Sequence, residues 1–155
     1  MTKNGANSID TRVHIDESHQ EHGTHFEKQL RAWKEKHIEG VVIATMGMGD
    51  DGHTAGIMPH KGDLNVFNGL FEQESTWVVS YDAGKKNEFP LRTTVTNTFL
   101  RNEVNHALLY VSGIAKKDAI NKVLEPRGTL YDFPARIIHE MKNVTLVTDI
   151  FITQK

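Results

Sequence analysis

Apolar and polar positions along the chain alternate between a helical and a strand-like period. Between residues 18 and 36, Phe26, Leu30 and Trp33 recur at steps of four and three, which predicts an amphipathic helix with one docking face. The stretch at residues 40–46 is apolar and β-branched, and it predicts a strand buried on both faces. This strand runs directly into a glycine-rich loop.

The rest of the chain repeats this alternation. Pro134 opens a short predicted helix, a longer one is predicted over residues 115–124, and Asn97 is a candidate helix cap. The pattern predicts an α/β fold of Rossmann-like type, with a mainly parallel open sheet that helices flank and cover on both faces. Four further stretches have the composition of strands: residues 77–81, 92–96, 106–113 and 144–149.

Composition and charge restrict the class of protein. The 155 residues suit a single domain, which we place at residues 18–155 after a polar lead-in at residues 1–17. With 18 Lys+Arg against 20 Asp+Glu, the chain has no broad cationic field, so neither nucleic acid nor a membrane is an expected partner. No apolar run approaches the roughly 18 residues of a membrane span. The absence of cysteine suits a reducing compartment, and the cytoplasm is the simplest location.

The stretch GMGDDGHTAGIMP at residues 47–59 contains the candidate acid–base residues. It follows a strand, and ligands of open α/β sheets bind at the carboxyl ends of the strands. Asp51 can hold an imidazole or a substrate hydroxyl, and His53 can transfer a proton near neutral pH. Three glycines permit close approach of the backbone to a ligand: Gly47, Gly49 and Gly52.

Other interpretations of these residues stay open. The same composition fits a surface turn with an exposed histidine. The glycine spacing formally fits a dinucleotide loop, but no convincing helix and no suitably placed acidic residue follow, so we expect no NAD and no other cofactor. His19, His22 and His25 are spaced by three on a polar segment, and we interpret them as a solvated face without a metal site.

The motif G-x-G-x-D-G-H-T-A, followed by a proline, resembles the signature of the 6-phosphogluconolactonase family. Upstream, FEKQL at residues 26–30 is similar to the helix that precedes the histidine loop of that family, and the resemblance extends over about residues 20–150. Downstream matches are the Arg-x-Thr strand beginning at Arg92, the Gly-x-x-Lys turn ending at Lys116, and the Pro-Ala pair at residues 134–135.

The resemblance implies hydrolysis of 6-phosphogluconolactone to 6-phosphogluconate in the pentose phosphate pathway, with a small phosphosugar lactone as partner. Opening a lactone requires a base for water, for which His53 is the candidate, with Asp51 orienting its ring and loop amides facing the oxyanion. The phosphate needs cationic donors. The resemblance implies Arg92 and Lys116 for this task, with Arg136 as a third candidate.

Departures from the family pattern keep two alternatives open. Family members are usually longer, and their amino-terminal phosphate loop is not found here, so the chain resembles the carboxy-terminal portion and could be a non-catalytic phosphosugar-binding or interaction fragment. Self-association would cover strand faces that a missing portion leaves open. A relative of glucosamine-6-phosphate deaminases is the other alternative, but Met58 stands where those carry glutamate. Asp50 also replaces a common proline.

Overall fold

The computed structural model describes residues 8–12, 16–85 and 87–152, so the predicted polar lead-in lies mostly outside the described residues. Its helices are α1 (His19–Lys36), α2 (Leu64–Phe71), α3 (Asn97–Glu103) and α4 (Lys117–Leu124), with 3₁₀ helices at Ile114–Lys116 and Pro134–His139. Its strands are β1 (Ile43–Gly47), β2 (Val78–Asp82), β3 (Leu91–Val95), β4 (His106–Val111) and β5 (Val144–Thr148). No helix within these ranges is long and apolar enough to cross a membrane.

Three of the strands form a parallel sheet in the order β1-β4-β5. In its register Gly47 lies beside Tyr110, and Val111 lies beside Thr148. Because the strands are parallel, all three carboxyl ends lie at one edge, and the loops that leave them share that edge. The predicted α/β fold, with a parallel sheet flanked by helices, is confirmed.

The remaining two strands form a separate antiparallel pair. Strands β2 and β3 are joined by the short connection at residues 83–90, which is too short for a parallel crossover. Helix α1 packs on this hairpin, where the Glu27 carboxylate accepts the Val78 N–H at 3.1 Å and Gly23 lies against Ser80. The predicted strands at residues 77–81 and 92–96 therefore exist, but they extend no parallel sheet.

Only one face of the parallel sheet is covered within the described residues. Along β4, Ala107, Leu109 and Val111 are buried in the core, together with the inner side of α4. Their neighbours Leu108 and Tyr110 point to the opposite face and are exposed. The prediction of a sheet covered on both faces is therefore wrong here, because the helices that follow β4 and β3 contribute to one common core on one side.

Helix α1 forms as its sequence predicts. Ser18 caps it through a reciprocal pair of hydrogen bonds: its hydroxyl accepts the Glu21 N–H at 3.3 Å, and the Glu21 carboxylate accepts the Ser18 N–H at 2.8 Å. Leu30 is buried, and Phe26 and Trp33 pack against the core. The predicted docking face is confirmed.

The structure adds one helix and shifts one cap. Helix α2 begins after the cap Asp63 and buries Phe67 and Phe71, which are four residues apart on one face. At α3 the capping residue is Thr96, whose hydroxyl accepts the Phe99 N–H at 3.2 Å, so the cap predicted at Asn97 is wrong by one residue.

Candidate active site

The loops that leave the three parallel strands are linked to one another. Asp149, after β5, accepts the backbone N–H of Gly113, after β4, at 2.9 Å. Lys116 follows in the same turn, and its ammonium lies 2.6 Å from the carboxylate of Asp50 in the loop after β1. The sheet edge therefore brings the histidine loop and the Gly-x-x-Lys turn together, as ligand sites of open α/β sheets require.

Asp51 and His53 form a hydrogen-bonded pair in the loop after β1. The distance from Asp51 Oδ1 to His53 Nδ1 is 2.7 Å, and the same oxygen accepts the His53 backbone N–H at 3.1 Å. A carboxylate can only accept, so Nδ1 of a neutral ring carries the proton and Nε2 retains its lone pair. The two side chains are 46% and 40% exposed, so water reaches the pair.

The surroundings of the Asp51 carboxylate favour its ionised form. Partial burial raises its pKa, but the hydrogen bonds from the His53 amide and ring, together with the charge on that ring, lower the pKa by more. The net pKa of Asp51 lies below its usual value. The carboxylate can thus hold the ring in one orientation and stabilise its protonated form.

Backbone hydrogen bonds close the loop around this pair. The Gly49 N–H donates to the His53 carbonyl at 2.9 Å, and the Gly52 N–H donates to the Gly49 carbonyl at 3.0 Å. A Cβ on Gly49 would overlap both the His53 ring and the Asp51 carboxylate, which explains glycine there. Because these two amides are already used, they are not the oxyanion donors that the sequence predicts, whereas Gly47 borders open space.

A tight turn follows His53. Thr54 and Ile57 exchange both backbone hydrogen bonds, at 3.3 and 2.7 Å. Between them Ala55 has φ +50° and Gly56 has φ +84°, which is the geometry of a type I′ turn. Ile57 is fully buried, so the turn is anchored in the core.

The β2–β3 hairpin holds this turn through two hydroxyl groups that sequence reasoning did not assign to the site. The Tyr81 hydroxyl donates to the Gly56 carbonyl at 2.8 Å and accepts the Met58 N–H at 3.0 Å, and burial raises the pKa of Tyr81 to about 12. Thr94 donates to the Ala55 carbonyl. The hydroxyls sit at inward positions of predicted strands, which is the one signal that could have identified them.

Arg92 lies on the same hairpin. It pairs with Tyr81 across the strands and is two residues from Thr94, so it shares the face that contacts the turn. Its Nε is buried and has no hydrogen-bond partner among the described residues. Arg92 therefore lies on the hairpin face whose Tyr81 and Thr94 hydroxyls contact the turn that follows His53.

Arg136, the third predicted phosphate donor, has a different use. It is 7% exposed, and its two terminal nitrogens donate to the carbonyls of Lys122 and Glu125, each at 2.8 Å. These carbonyls end α4 and have no partner within the helix. We therefore correct its predicted role: the guanidinium stabilises the end of α4 and is not exposed to a ligand.

The segment that carries Arg136 nevertheless contacts the loop. The Ala135 N–H donates to the Gly52 carbonyl at 2.8 Å. Phe133 packs so closely on Gly52 that a Cβ there would overlap its ring, and the φ of +87° at Gly52 also favours glycine. The Pro-Ala segment therefore packs against the loop and supports it at Gly52.

The His53 loop is separate from two cavities of the described residues. Two cavities occur elsewhere in the described residues, one of about 800 Å³ between α1 and β2 and one of about 670 Å³ beside α2 and α3. The loop lines neither of them. In the second, Arg101 pairs with Glu72 and Glu140, at 3.1 and 2.5 Å.

The histidines of α1 contact a carboxylate. His22 Nδ1 lies 3.3 Å from Glu17 Oε2, and His25 contacts the other oxygen of that group. Within residues 8–12, 16–85 and 87–152, no group of three or more His, Asp or Glu side chains is arranged to hold a metal ion. His22 is buried, at 6% exposure, so the predicted solvated face is wrong at this position.

Comparison with known sequences places the chain in a family. Residues 3–147 match the profile described as glucosamine-6-phosphate isomerases/6-phosphogluconolactonase. The 6-phosphogluconolactonase of Synechocystis sp. is 27% identical over 113 residues, and that of Xylella fastidiosa is 32% identical over 106 residues. These matches cover 73% and 66% of this chain but 42% of each relative, so the chain spans about two-fifths of their length.

Solved structures share the fold. The 6-phosphogluconolactonase of Thermotoga maritima superposes with a TM-score of 0.64 at 18% identity, over 88% of this chain and 54% of that chain. A monomeric glucosamine-6-phosphate deaminase superposes with a TM-score of 0.55 at 20% identity, over 82% and 51%. Because residues 3–147, nearly the whole of this chain, match the family profile, this chain belongs to the glucosamine-6-phosphate isomerase/6-phosphogluconolactonase family.

Proposed function

We propose that this chain carries the catalytic base of a 6-phosphogluconolactonase, which hydrolyses 6-phosphogluconolactone to 6-phosphogluconate. The observation that carries this proposal is the 2.7 Å contact between Asp51 and His53 Nδ1 at the carboxyl end of β1. It supplies an oriented imidazole with an available Nε2, which is what a general base for water needs. The 27% and 32% identity to proteins named 6-phosphogluconolactonase supports the choice of substrate.

The reaction proceeds in two proton transfers at His53. Nε2 takes a proton from water while the water oxygen attacks the lactone carbonyl carbon and forms a tetrahedral intermediate. The bond from that carbon to the ring oxygen then breaks, and the imidazolium returns its proton to the departing oxygen. The ionised Asp51 stabilises the imidazolium between these steps.

Lys116 and Arg92 are the proposed phosphate donors. Lys116 ends the 3₁₀ turn that leads into α4, and its pair with Asp50 holds its ammonium beside the loop that carries His53. Arg92 offers a buried Nε without a hydrogen-bond partner in the described part of the chain. A guanidinium and an ammonium at such positions suit a phosphate dianion.

A second candidate function is phosphosugar binding without turnover. Two observations favour it: the Asp51 and His53 side chains are 46% and 40% exposed, and the chain spans 42% of the Synechocystis relative. A water-exposed base is a weaker catalyst, because an open site does not exclude solvent or fix the substrate. The deaminase alternative lacks the glutamate expected at Met58.

Lactone hydrolysis by a His53→Ala variant distinguishes these functions. We would measure acid release from freshly made 6-phosphogluconolactone above the spontaneous rate, using the chain alone and a chimera in which it replaces the matched part of the Synechocystis relative. Loss of the base lowers kcat by about 100-fold or more, while His37→Ala, outside the site, leaves it unchanged. Turnover that survives His53→Ala contradicts the assignment, and 6-phosphogluconate binding without turnover in both proteins supports the second candidate.

A further inference from the structure

A second histidine, His60, lies shortly after the turn that follows His53. Its Nδ1 is 2.9 Å from the carbonyl oxygen of Met58. A carbonyl oxygen can only accept a hydrogen bond, so Nδ1 of His60 carries a proton and donates it to Met58. The His60 side chain therefore holds the backbone directly after the type I′ turn.

The backbone of Met58 is held on both of its polar groups. The Tyr81 hydroxyl accepts the Met58 N–H at 3.0 Å, and the His60 ring binds the Met58 carbonyl. The preceding residue, Ile57, exchanges two backbone hydrogen bonds with Thr54, which directly follows the candidate base. The two side chains thus fix the end of the turn, and the turn connects them to the base.

An aromatic cluster fixes the orientation of the His60 ring. Its centroid lies 6.0 Å from that of Phe67, 5.6 Å from that of Phe71 and 6.1 Å from that of Tyr81. Phe67 and Phe71 come from α2 and are buried. Because aromatic rings at these distances pack edge to face, rotation of the imidazole would displace the cluster. The ring is therefore held with Nδ1 directed toward Met58.

Residues 131–135 hold both ends of the loop that runs from Gly52 to His60. At one end, the Ala135 N–H donates to the Gly52 carbonyl at 2.8 Å. At the other end, the His60 N–H donates to the Tyr131 carbonyl at 2.7 Å. His60 is thus the point at which this segment, α2, the β2–β3 hairpin and the loop of the candidate base meet.

We propose that His60 is a positioning residue for His53. Through its hydrogen bond to the Met58 carbonyl, it fixes the turn that keeps the His53 imidazole directed at Asp51. It acts through the backbone of the turn, as Tyr81 does from the other side. The effect on turnover rests on the proposed function, whereas the effect on the orientation of the His53 ring does not.

The competing explanation is that His60 only fills space in the aromatic cluster. In that case any ring of similar size would suffice at this position, whereas our proposal requires the donor at Nδ1. His60→Phe keeps an aromatic ring and removes the donor. His60→Asn removes the ring and keeps a side-chain N–H close to the position of Nδ1. The two substitutions therefore separate the two roles.

NMR of the ring nitrogens measures the orientation of His53 without any substrate. The chain is labelled with ¹⁵N-histidine, and His53→Ala identifies the signals of His53. In the wild type, the neutral ring carries its proton on Nδ1, which faces Asp51. We expect His60→Phe to shift this proton toward Nε2 and His60→Asn to retain it on Nδ1. His106→Phe, at the exposed amino end of β4, is the matched control and leaves it unchanged.

Lactone hydrolysis by the chimera with the Synechocystis relative gives the second measurement. His60→Phe lowers kcat by about tenfold and changes KM by less than about twofold, because a misplaced base affects the chemical step more than substrate binding. His60→Asn restores most of kcat, since it keeps the donor.

Two results would overturn the proposal: His60→Phe leaves the proton of His53 on Nδ1, or His60→Asn shifts it as far as His60→Phe does. Circular dichroism confirms that the variants fold. If His60→Phe does not fold, His60→Leu carries the same expectation, because leucine is also apolar and lacks a donor. A tautomer shift in His60→Phe, together with a wild-type chimera that does not hydrolyse lactone, contradicts the proposed function and leaves the positioning role established.

Discussion

Asp50 and Lys116 set the charge beside the candidate catalytic loop. Their ion pair of 2.6 Å joins the loop after β1 to the turn after β4. Lys116 is also the ammonium that we assign to the substrate phosphate, so the Asp50 carboxylate competes with that anion. Since its side chain is 69% exposed, the pair contributes less than about 1 kcal/mol to folding. Its larger effect is on ligand binding.

Asp50→Asn should therefore strengthen phosphate binding. The substitution removes one negative charge next to Lys116, and the expected gain in affinity for 6-phosphogluconate or inorganic phosphate is about twofold to fivefold at low salt. Titration calorimetry measures it. Glu39→Gln, an exposed carboxylate outside the site, is the matched control. Unchanged or weaker binding by Asp50→Asn would remove Lys116 from the proposed phosphate site.

At the scale of single residues, the sequence predicts contacts between residues that are close together in the chain. Asp51 and His53 are two residues apart in a turn, so their contact follows from the chain itself, and the structure contains it. The use of Arg136 depends on the carbonyls of Lys122 and Glu125, which tertiary folding brings to it. No sequence motif predicts that the guanidinium will contact these carbonyls. The amides of Gly49 and Gly52 are engaged within the loop itself, by the carbonyls of His53 and Gly49, and the glycine spacing alone does not show which loop amides stay free.

At the scale of elements, the β2–β3 hairpin positions the turn that follows His53. Tyr81 contributes one hydroxyl that serves two backbone groups, at Gly56 and Met58. Both contacts lie between a strand and a turn far away in sequence, so they fix one element relative to the other. The hairpin therefore acts on the site through the backbone rather than through substrate contacts.

Tyr81→Phe should loosen this connection and change the alkaline stability. Near pH 8 the lost hydrogen bonds lower the free energy of unfolding by about 1–3 kcal/mol. Because the folded state raises the pKa of Tyr81 to about 12, from about 10 when unfolded, its neutral phenol stabilises the fold fully below pH 10. That stability is lost as the pH rises from about 10 through 12.

Urea unfolding at pH 8 and pH 11 measures both effects. The wild-type chain loses more stability than Tyr81→Phe between these values, since only the wild type has this group to ionise. Tyr110→Phe, an exposed phenol, is the matched control and should follow the wild type. Equal losses in Tyr81→Phe and the wild type would contradict the role of the buried hydroxyl.

The sequence predicts most strands and helices but not how they combine. The residues of β4 are apolar in succession, and this pattern predicted burial on both faces, although the structure buries alternate residues such as Leu109. The composition of a strand indicates which of its faces are apolar, but it does not indicate what covers them. Helix α2 was missed although Asp63, Phe67 and Phe71 form a capped apolar face, because its length of eight residues gives little periodicity.

At the scale of the whole molecule, the two faces of the sheet have different environments. Leu108 and Leu109 are adjacent in β4, yet Leu109 is fully buried and Leu108 is 36% exposed. The covered face carries the core of the isolated chain. The face that carries Leu108 adds little to folding.

Alanine substitutions at these two neighbours should show how much each face of the sheet contributes to the free energy of unfolding. Leu109→Ala removes buried methyl groups and leaves a cavity, so it lowers the free energy of unfolding by about 2–5 kcal/mol. Leu108→Ala lowers it by less than about 1 kcal/mol, because its side chain retains contact with water in the folded chain. Urea titration at one pH compares both with the wild type. Similar losses at the two positions would mean that the side chain of Leu108 is covered in the free chain, which would contradict the different environments of the two faces.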